Sequence, residues 1–83
     1  MYEIIIEKRV LKELEKISDP DYFKIRDAVF ALADNPRPNG YIKLKGRSAY
    51  RIRQGNYRII YEIIDRKLLV HVVELGHRKE IYD

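Results

Sequence analysis

The sequence predicts an α+β fold: a twisted, mainly antiparallel β-sheet with an N-terminal helical hairpin packed on one face, in the order β-α-α-β-β-β. Three observations lead there. Apolar residues alternate at the start of the chain, at Tyr2, Ile4 and Ile6; they then recur at helical spacing from Val10 to Leu32; and after Asn35-Pro36 the chain becomes rich in β-branched and aromatic residues around a Gly55-Asn56 pair. At 83 residues the chain holds one domain, spanning 1–83, because a second core does not fit this length.

The elements follow in order. A short first strand covers Tyr2 to Ile6. Val10, Leu11, Leu14 and Ile17 form one helical face, with Arg9, Lys12, Glu13, Glu15 and Lys16 on the other. Asp19-Pro20 reads as an N-cap followed by proline in the first helical position, opening a second helix. Its inward stripe is Ile25, Ala28, Val29 and Leu32, widened by Phe23 and Phe30. Asn35-Pro36 stops it, since proline disfavours helix at the preceding residue and cannot continue the ladder. The loop Pro36-Arg37-Pro38-Asn39-Gly40 leads into three strand segments: Tyr41 to Lys45 with Ala49 to Gln54, Tyr57 to Ile64, and Lys67 to Leu75, with a tail from Gly76.

Composition removes several function classes. With no cysteine, disulfide frameworks, cysteine-type zinc sites and thiol catalysis are excluded, and a reducing, cytoplasmic setting is expected. No apolar run approaches the roughly 18 residues of a membrane span, and Met1-Tyr2-Glu3 does not open a signal peptide. Asp19 and Asp21 lack the glycine and distal glutamate of a calcium loop, and two histidines without cysteine make a poor zinc site. No glycine-rich phosphate loop or nucleophile elbow is present. The expectation is therefore no metal and no cofactor.

The net charge of +4 is unevenly spread. Residues 1–40 carry seven basic and eight acidic side chains, and residues 41–83 carry ten and five. Lys43, Lys45, Arg47, Arg51, Arg53 and Arg58 follow one another with no acidic residue between Tyr41 and Tyr61. Basic side chains interleaved with tyrosines suit a ligand of phosphates and bases. Lysines that protect a sheet edge from aggregation would account for Lys43 and Lys45 as well.

Glycine in the first central position makes Gly55-Asn56 a two-residue type II′ turn, which fixes register. Gln54 then faces Tyr57, Arg53 faces Arg58, Ile52 faces Ile59, and Arg51 faces Ile60. Side-chain alternation places Arg51, Arg53 and Arg58 on one face, with Tyr50, Ile52, Ile59 and Tyr61 on the other. A similar two-residue turn at Asp65-Arg66 would put Leu68, Val70 and Val72 behind the core and His71 on the arginine face. Facing arginines repel one another, so the pair costs stability without an anion between them. Guanidinium groups bind phosphate bidentately and keep their charge, which makes the trio a candidate phosphodiester cradle. Glu62 or Glu74 could instead neutralise part of it.

Arginine stabilises charge on phosphorus but does not act as a general base. The proton-transfer candidates are His77 and Tyr82 in the tail, with Arg78 a further anion partner.

Taken together, Lys43-Leu44-Lys45-Gly46, Tyr50-Arg51-Ile52-Arg53, Gly55-Asn56-Tyr57-Arg58-Ile59-Ile60-Tyr61-Glu62-Ile63-Ile64-Asp65 and Val73-Glu74-Leu75-Gly76-His77-Arg78 with Tyr82 resemble the RelE/ParE superfamily of toxins, over nearly the whole chain. The resemblance implies a toxin of a type II toxin-antitoxin module. In the RelE branch that means a ribosome-dependent mRNA endoribonuclease, an mRNA interferase that cleaves the codon in the A site by metal-independent 2′-hydroxyl attack. The partners implied are a RelB-like antitoxin and the ribosome with its mRNA and rRNA, with no membrane and no small-molecule cofactor. ParE-like members share the fold but poison DNA gyrase. By position, Arg51 and Arg53 stand where RelE-type toxins often carry two catalytic lysines. Arg58 matches a phosphate-stabilising arginine, Arg78 the arginine after the tail glycine, and Tyr82 a tyrosine that stacks on the cleaved codon. Arginine at 51 and 53 is a poorer base than lysine, which moves weight to His77. Lys43, Lys45 and Arg47 are the expected RNA-binding residues beside that set.

Overall fold

The computed structural model describes residues 1–77. Its elements are β1 (Glu3–Ile6), α1 (Lys8–Glu15), α2 (Asp21–Ala31), β2 (Ile42–Lys43), β3 (Tyr50–Gln54), β4 (Tyr57–Ile64) and β5 (Leu69–His77), with a single 3-10 turn at Asp65–Lys67 between β4 and β5. The strands form one sheet in the order β1-β5-β4-β3-β2. β1 runs parallel to β5, and the other neighbours are antiparallel. The predicted α+β architecture holds, with both helices on one face.

That face carries the main core. Val10 and Leu14 from α1, and Ile25 and Val29 from α2 with Leu32 just beyond it, pack against Ile52, Ile59, Tyr61, Val70, Val72 and Leu75 of the sheet. The helical stripes differ from expectation at their margins. Leu11, Phe23 and Phe30 are exposed, and Tyr22 packs against the core instead. At 3.6 residues per turn, Tyr22 lies one turn before Ile25 on the inward stripe, whereas Phe23 and Phe30 fall off it. Asp19 does not cap α2: Pro20 occupies the cap position without a side-chain bond, and the Ser18 carbonyl accepts from the Tyr22 N–H at 3.1 Å. Ile17 lies beyond the end of α1 yet still packs on the core.

The β3–β4 hairpin has the predicted register throughout, Gln54 with Tyr57, Arg53 with Arg58, Ile52 with Ile59 and Arg51 with Ile60. Gly55 takes a φ of 60°, the left-handed entry that a type II′ turn requires of its first central residue. The β4–β5 turn departs from the two-residue expectation. Asp65 to Lys67 make a 3-10 turn and Leu68 adopts a φ of 50°, so Ile64 pairs with Leu69. The register moves by an even number of residues and therefore keeps every side chain on its expected face. Val70 and Val72 are in the core and His71 is opposite it, but Leu68 lies in the turn, exposed, rather than behind the core.

A β-bulge then changes the phase of β5. Tyr61 pairs with Val72 and Ile60 with Glu74, leaving Val73 as the extra residue. Arg9 Nε donates to the Val73 carbonyl at 2.9 Å, tying α1 to the bulge. Beyond it, Leu75 returns to the core and Gly76 stands opposite Arg58. Val73 joins Leu44, Ala49 and Ile60 in a second, smaller apolar cluster on the face away from the helices. That face is consequently not uniformly basic, as its charge pattern suggests, but has an apolar centre. Gly76 and His77 belong to β5 rather than to a tail, because the bulge lets pairing with β4 continue to Tyr57.

Candidate nucleic-acid interface

The face opposite the helices is built from alternate residues of three strands: Arg51 and Arg53 on β3, Arg58, Ile60 and Glu62 on β4, and His71, Glu74 and Gly76 on β5. The hairpin register sets the arginine trio. Arg53 and Arg58 face each other directly, with Arg53 exposed and Arg58 half-buried. Arg51 is only 4% exposed. Arg51 and Arg58 both interact within the chain, so of the three it is Arg53 that offers its head most openly. Opposite Arg58 stands Gly76, which contributes no side chain.

Two carboxylates share this face, and each has a partner other than the trio. Glu74 Oε1 lies 3.0 Å from Arg47 NH2. Glu62 Oε1 lies 3.5 Å from Nδ1 of His71, whose Nε2 is 2.9 Å from Glu7 Oε1. Glu74 thus reaches Arg47, and Glu62 reaches His71. Lys43 sits on the edge strand β2, and its Nζ donates to the Arg47 carbonyl at 3.0 Å, which folds the 44–49 segment over the sheet. Lys45 is exposed on that segment. Among the expected RNA-binding residues, Lys43 and Arg47 thus also hold their own loop in place.

His77 is not brought onto the arginine face. It pairs with Tyr57, whose face is that of the core, and the two rings meet edge to face at 5.4 Å. Its position at the end of β5 does place it at the same end of the sheet as the Gly55-Asn56 turn. Arg78 and Tyr82 lie outside the described residues. The histidine that shares the arginine face is His71, two rungs along the β4–β5 ladder from Glu74.

One structural cluster beside the site has no signature in the sequence. Asp65 accepts from Tyr2 OH at 2.5 Å and from both terminal nitrogens of Arg37, at 3.3 and 2.8 Å. The guanidinium holds the Asp65 carboxyl below the usual range, with the Tyr2 hydroxyl adding to it, while hydrogen bonding to that carboxylate raises Tyr2. Nearby, the buried Tyr61 hydroxyl donates to the Pro36 carbonyl at 2.7 Å, and burial pushes it up to about 12. These contacts fasten the 35–40 loop to the sheet. Proline at 36 and 38 marks a loop, but no local pattern shows that residues 25 and 28 positions away hold it.

Comparison with known proteins agrees with this architecture. The sequence model of the family described as "ParE toxin of type II toxin-antitoxin system, parDE" matches residues 4–82. The chain is 30% identical over 86 residues to the mRNA interferase toxin RelE of Escherichia coli K12, covering 98% of this chain and 90% of that protein. Among solved structures it matches a chain of the archaeal RelE-RelB complex from Pyrococcus horikoshii OT3 with a TM-score of 0.85 and 28% identity, over 96% of this chain and 98% of that one. A chain of the intact E. coli RelBE toxin-antitoxin complex gives 0.79 and 28%, over 93% and 96%. With a family model that spans almost its whole length and relatives that share its sheet, the chain belongs to the ParE toxin family of type II toxin-antitoxin systems, within the RelE/ParE superfamily.

Proposed function

We propose that this toxin is an mRNA endoribonuclease that cleaves codons on the ribosome and is neutralised by a RelB-like antitoxin. The observation that carries the reading is the arginine trio on one sheet face, with Arg53 and Arg58 directly opposed. Guanidinium groups gathered on one face suit a phosphodiester, the anion that their fork fits bidentately. The similarity to the E. coli mRNA interferase toxin RelE supports the nuclease, and the similarity to chains of RelE-RelB complexes supports the antitoxin.

In the proposed reaction the 2′-hydroxyl attacks the adjacent phosphorus as the P–O5′ bond breaks, giving a 2′,3′-cyclic phosphate and a 5′-hydroxyl. One proton leaves the attacking oxygen and one reaches the departing oxygen. Arg53 and Arg58 stabilise the added charge at phosphorus, and the ribosome supplies the orientation of the codon. Arg51, more deeply set, fixes the position of β3 beneath them. His77 at the end of β5, with Arg78 and Tyr82, remains the proposed C-terminal contribution, with His77 reaching the substrate around the end of the sheet where Tyr57 and Arg58 adjoin.

The family description names ParE, which favours a second reading: a gyrase inhibitor without nuclease activity. Induced expression followed by mapping of mRNA 5′ ends, with a gyrase supercoiling assay on the purified chain, separates the two. Cuts inside translated codons are expected. Intact mRNA with inhibited supercoiling would overturn the nuclease reading.

A further inference from the structure

We infer that the cleft at the open edge of β3 is a nucleobase pocket, which reads one base of the RNA whose phosphates lie on the arginine face; this rests on the nuclease reading above. β2 pairs with β3 at only two positions, Ile42 with Arg51 and Lys43 with Tyr50. The chain before β2 turns away at Gly40, whose φ is 90°, and among the described residues no strand neighbours Ile52 to Gln54 on that side. The resulting cleft has a volume of about 560 Å³, within the roughly 300–1,000 Å³ of small-molecule sites.

Its walls have a particular chemistry. Ala28 and Ala31 of α2 and Ile42 of β2 give flat apolar sides, Asn39 borders it from the loop, and Arg51 and Arg53 close it from β3. Among the described residues, no carboxylate lines it. The cleft is also held open in advance. Tyr61 fixes Pro36, Arg37 is clamped to Asp65, and the Asn35 side chain accepts from the Arg37 N–H at 3.1 Å. Because Arg53 belongs to both the cleft and the cationic face, a phosphate held there leaves its neighbouring base at the edge of β3. Single-stranded RNA is read in this way, by bases splayed from the backbone into pockets that offer apolar walls and amide hydrogen bonds. An acidic peptide satisfies the Arg53 cation but leaves the apolar walls without a matching surface.

The test fills the cleft without touching the cations. Ala31 is exposed at the end of α2, so Ala31→Leu keeps the helix and occupies the space; Asn39→Ala is a second variant on the loop, used if melting shows that Ala31→Leu does not fold. The probes are 2′-O-methyl trinucleotides of varied sequence, which bind without being cleaved, together with 5′-end mapping. The parent is expected to favour one base at one position by about tenfold, and the variants to lose that preference while the salt dependence of binding stays unchanged. Equal base preference in parent and variants overturns the inference. So does a variant that binds RNA like the parent but loses affinity for an acidic antitoxin peptide, since the cleft is then a protein-docking site. A parent that neither binds nor cuts RNA removes the nuclease reading itself, whereas a cutting parent with indifferent variants removes only the pocket.

Discussion

The two faces of the one sheet solve different problems. Toward the helices, Ile52, Ile59, Tyr61, Val70, Val72 and Leu75 meet side chains from both helices and are sealed from water. Away from the helices, four small or medium residues, Leu44, Ala49, Ile60 and Val73, form a cluster with cations around it. The first face stabilises the fold through buried apolar area. The second gathers three arginines from adjacent strands on one face. Alternation along β4 places the two environments one residue apart.

Ile59 and Ile60 are the sharpest probes of that contrast, since they are adjacent, chemically identical and both nearly inaccessible, at 0% and 1%. Ile59→Ala should cost about 4 kcal/mol, because its cavity lies between sheet and helices where neighbours cannot close in. Ile60→Ala should cost about 2 kcal/mol, the lower end of the range, because the 44–49 segment above it can settle into the space. Urea denaturation of both variants measures the difference. Equal losses would mean that the outer cluster is as rigid as the main core.

On the cationic face the effect should appear in activity instead. Arg58→Ala is expected to slow cleavage of translated mRNA by about 10²–10³, the usual consequence of removing a group that stabilises transition-state charge, while costing less stability than Ile59→Ala. Arg58→Lys should recover part of the rate, having the charge without the fork. A variant that is strongly unfolded, or one that cuts at the parental rate, would remove the division of labour between the faces.

How far the residues revealed this plan differs from element to element. The Gly55-Asn56 turn is a local device, since glycine alone supplies the left-handed φ, and everything across that hairpin follows from it. The β4–β5 turn is set by tertiary contacts: Asp65 is held by Tyr2 and Arg37, and a leucine takes the left-handed position. Nothing in Asp65-Arg66-Lys67-Leu68 announces this. The bulge at Val73 is equally silent, because a β-branched residue fits an uninterrupted strand as well as a bulged one. Missing it leaves the trio intact but assigns His77 to a tail, when the added residue extends β5 and turns that side chain to Tyr57. Candidate residues on β3 and β4 were therefore legible, and those beyond the bulge were not.

The loop that joins the faces supplies a smaller effect. Tyr61→Phe removes the buried hydroxyl and leaves the Pro36 carbonyl without its donor, an expected loss of about 1–2 kcal/mol. Burial raises the Tyr61 hydroxyl to about 12, above the ordinary tyrosine value of about 10. Its protonated form is therefore favoured by folding, and the contribution is complete below about pH 10 and lost as pH rises through the folded value. Parent and Tyr61→Phe melting temperatures should accordingly converge in strong alkali. A gap that stays constant to the highest accessible pH would show that the hydroxyl is not the titrating group.

The smallest effect is expected at the exposed Asp65, where the same loop is clamped from outside. Asp65→Asn keeps the shape and a weaker acceptor for Tyr2 but removes the charge that Arg37 grips with two nitrogens. Solvent and salt screen this pair, so the melting temperature at neutral pH should fall only slightly, and less at 1 M salt than at 0.1 M. The pH dependence is more telling than the size. Arg37, followed by Tyr2, lowers the folded value of Asp65, so the clamp contributes fully above the ordinary aspartate value of about 3.9 and fades as pH falls through the lowered one. The difference between parent and Asp65→Asn should be constant from neutrality to about pH 5 and shrink below about pH 4. Since the clamp fixes the loop that walls the β3 cleft, the variant should also bind RNA with a broader base preference at neutral pH. A melting difference that persists undiminished in acid would mean that Asp65 acts through shape rather than charge.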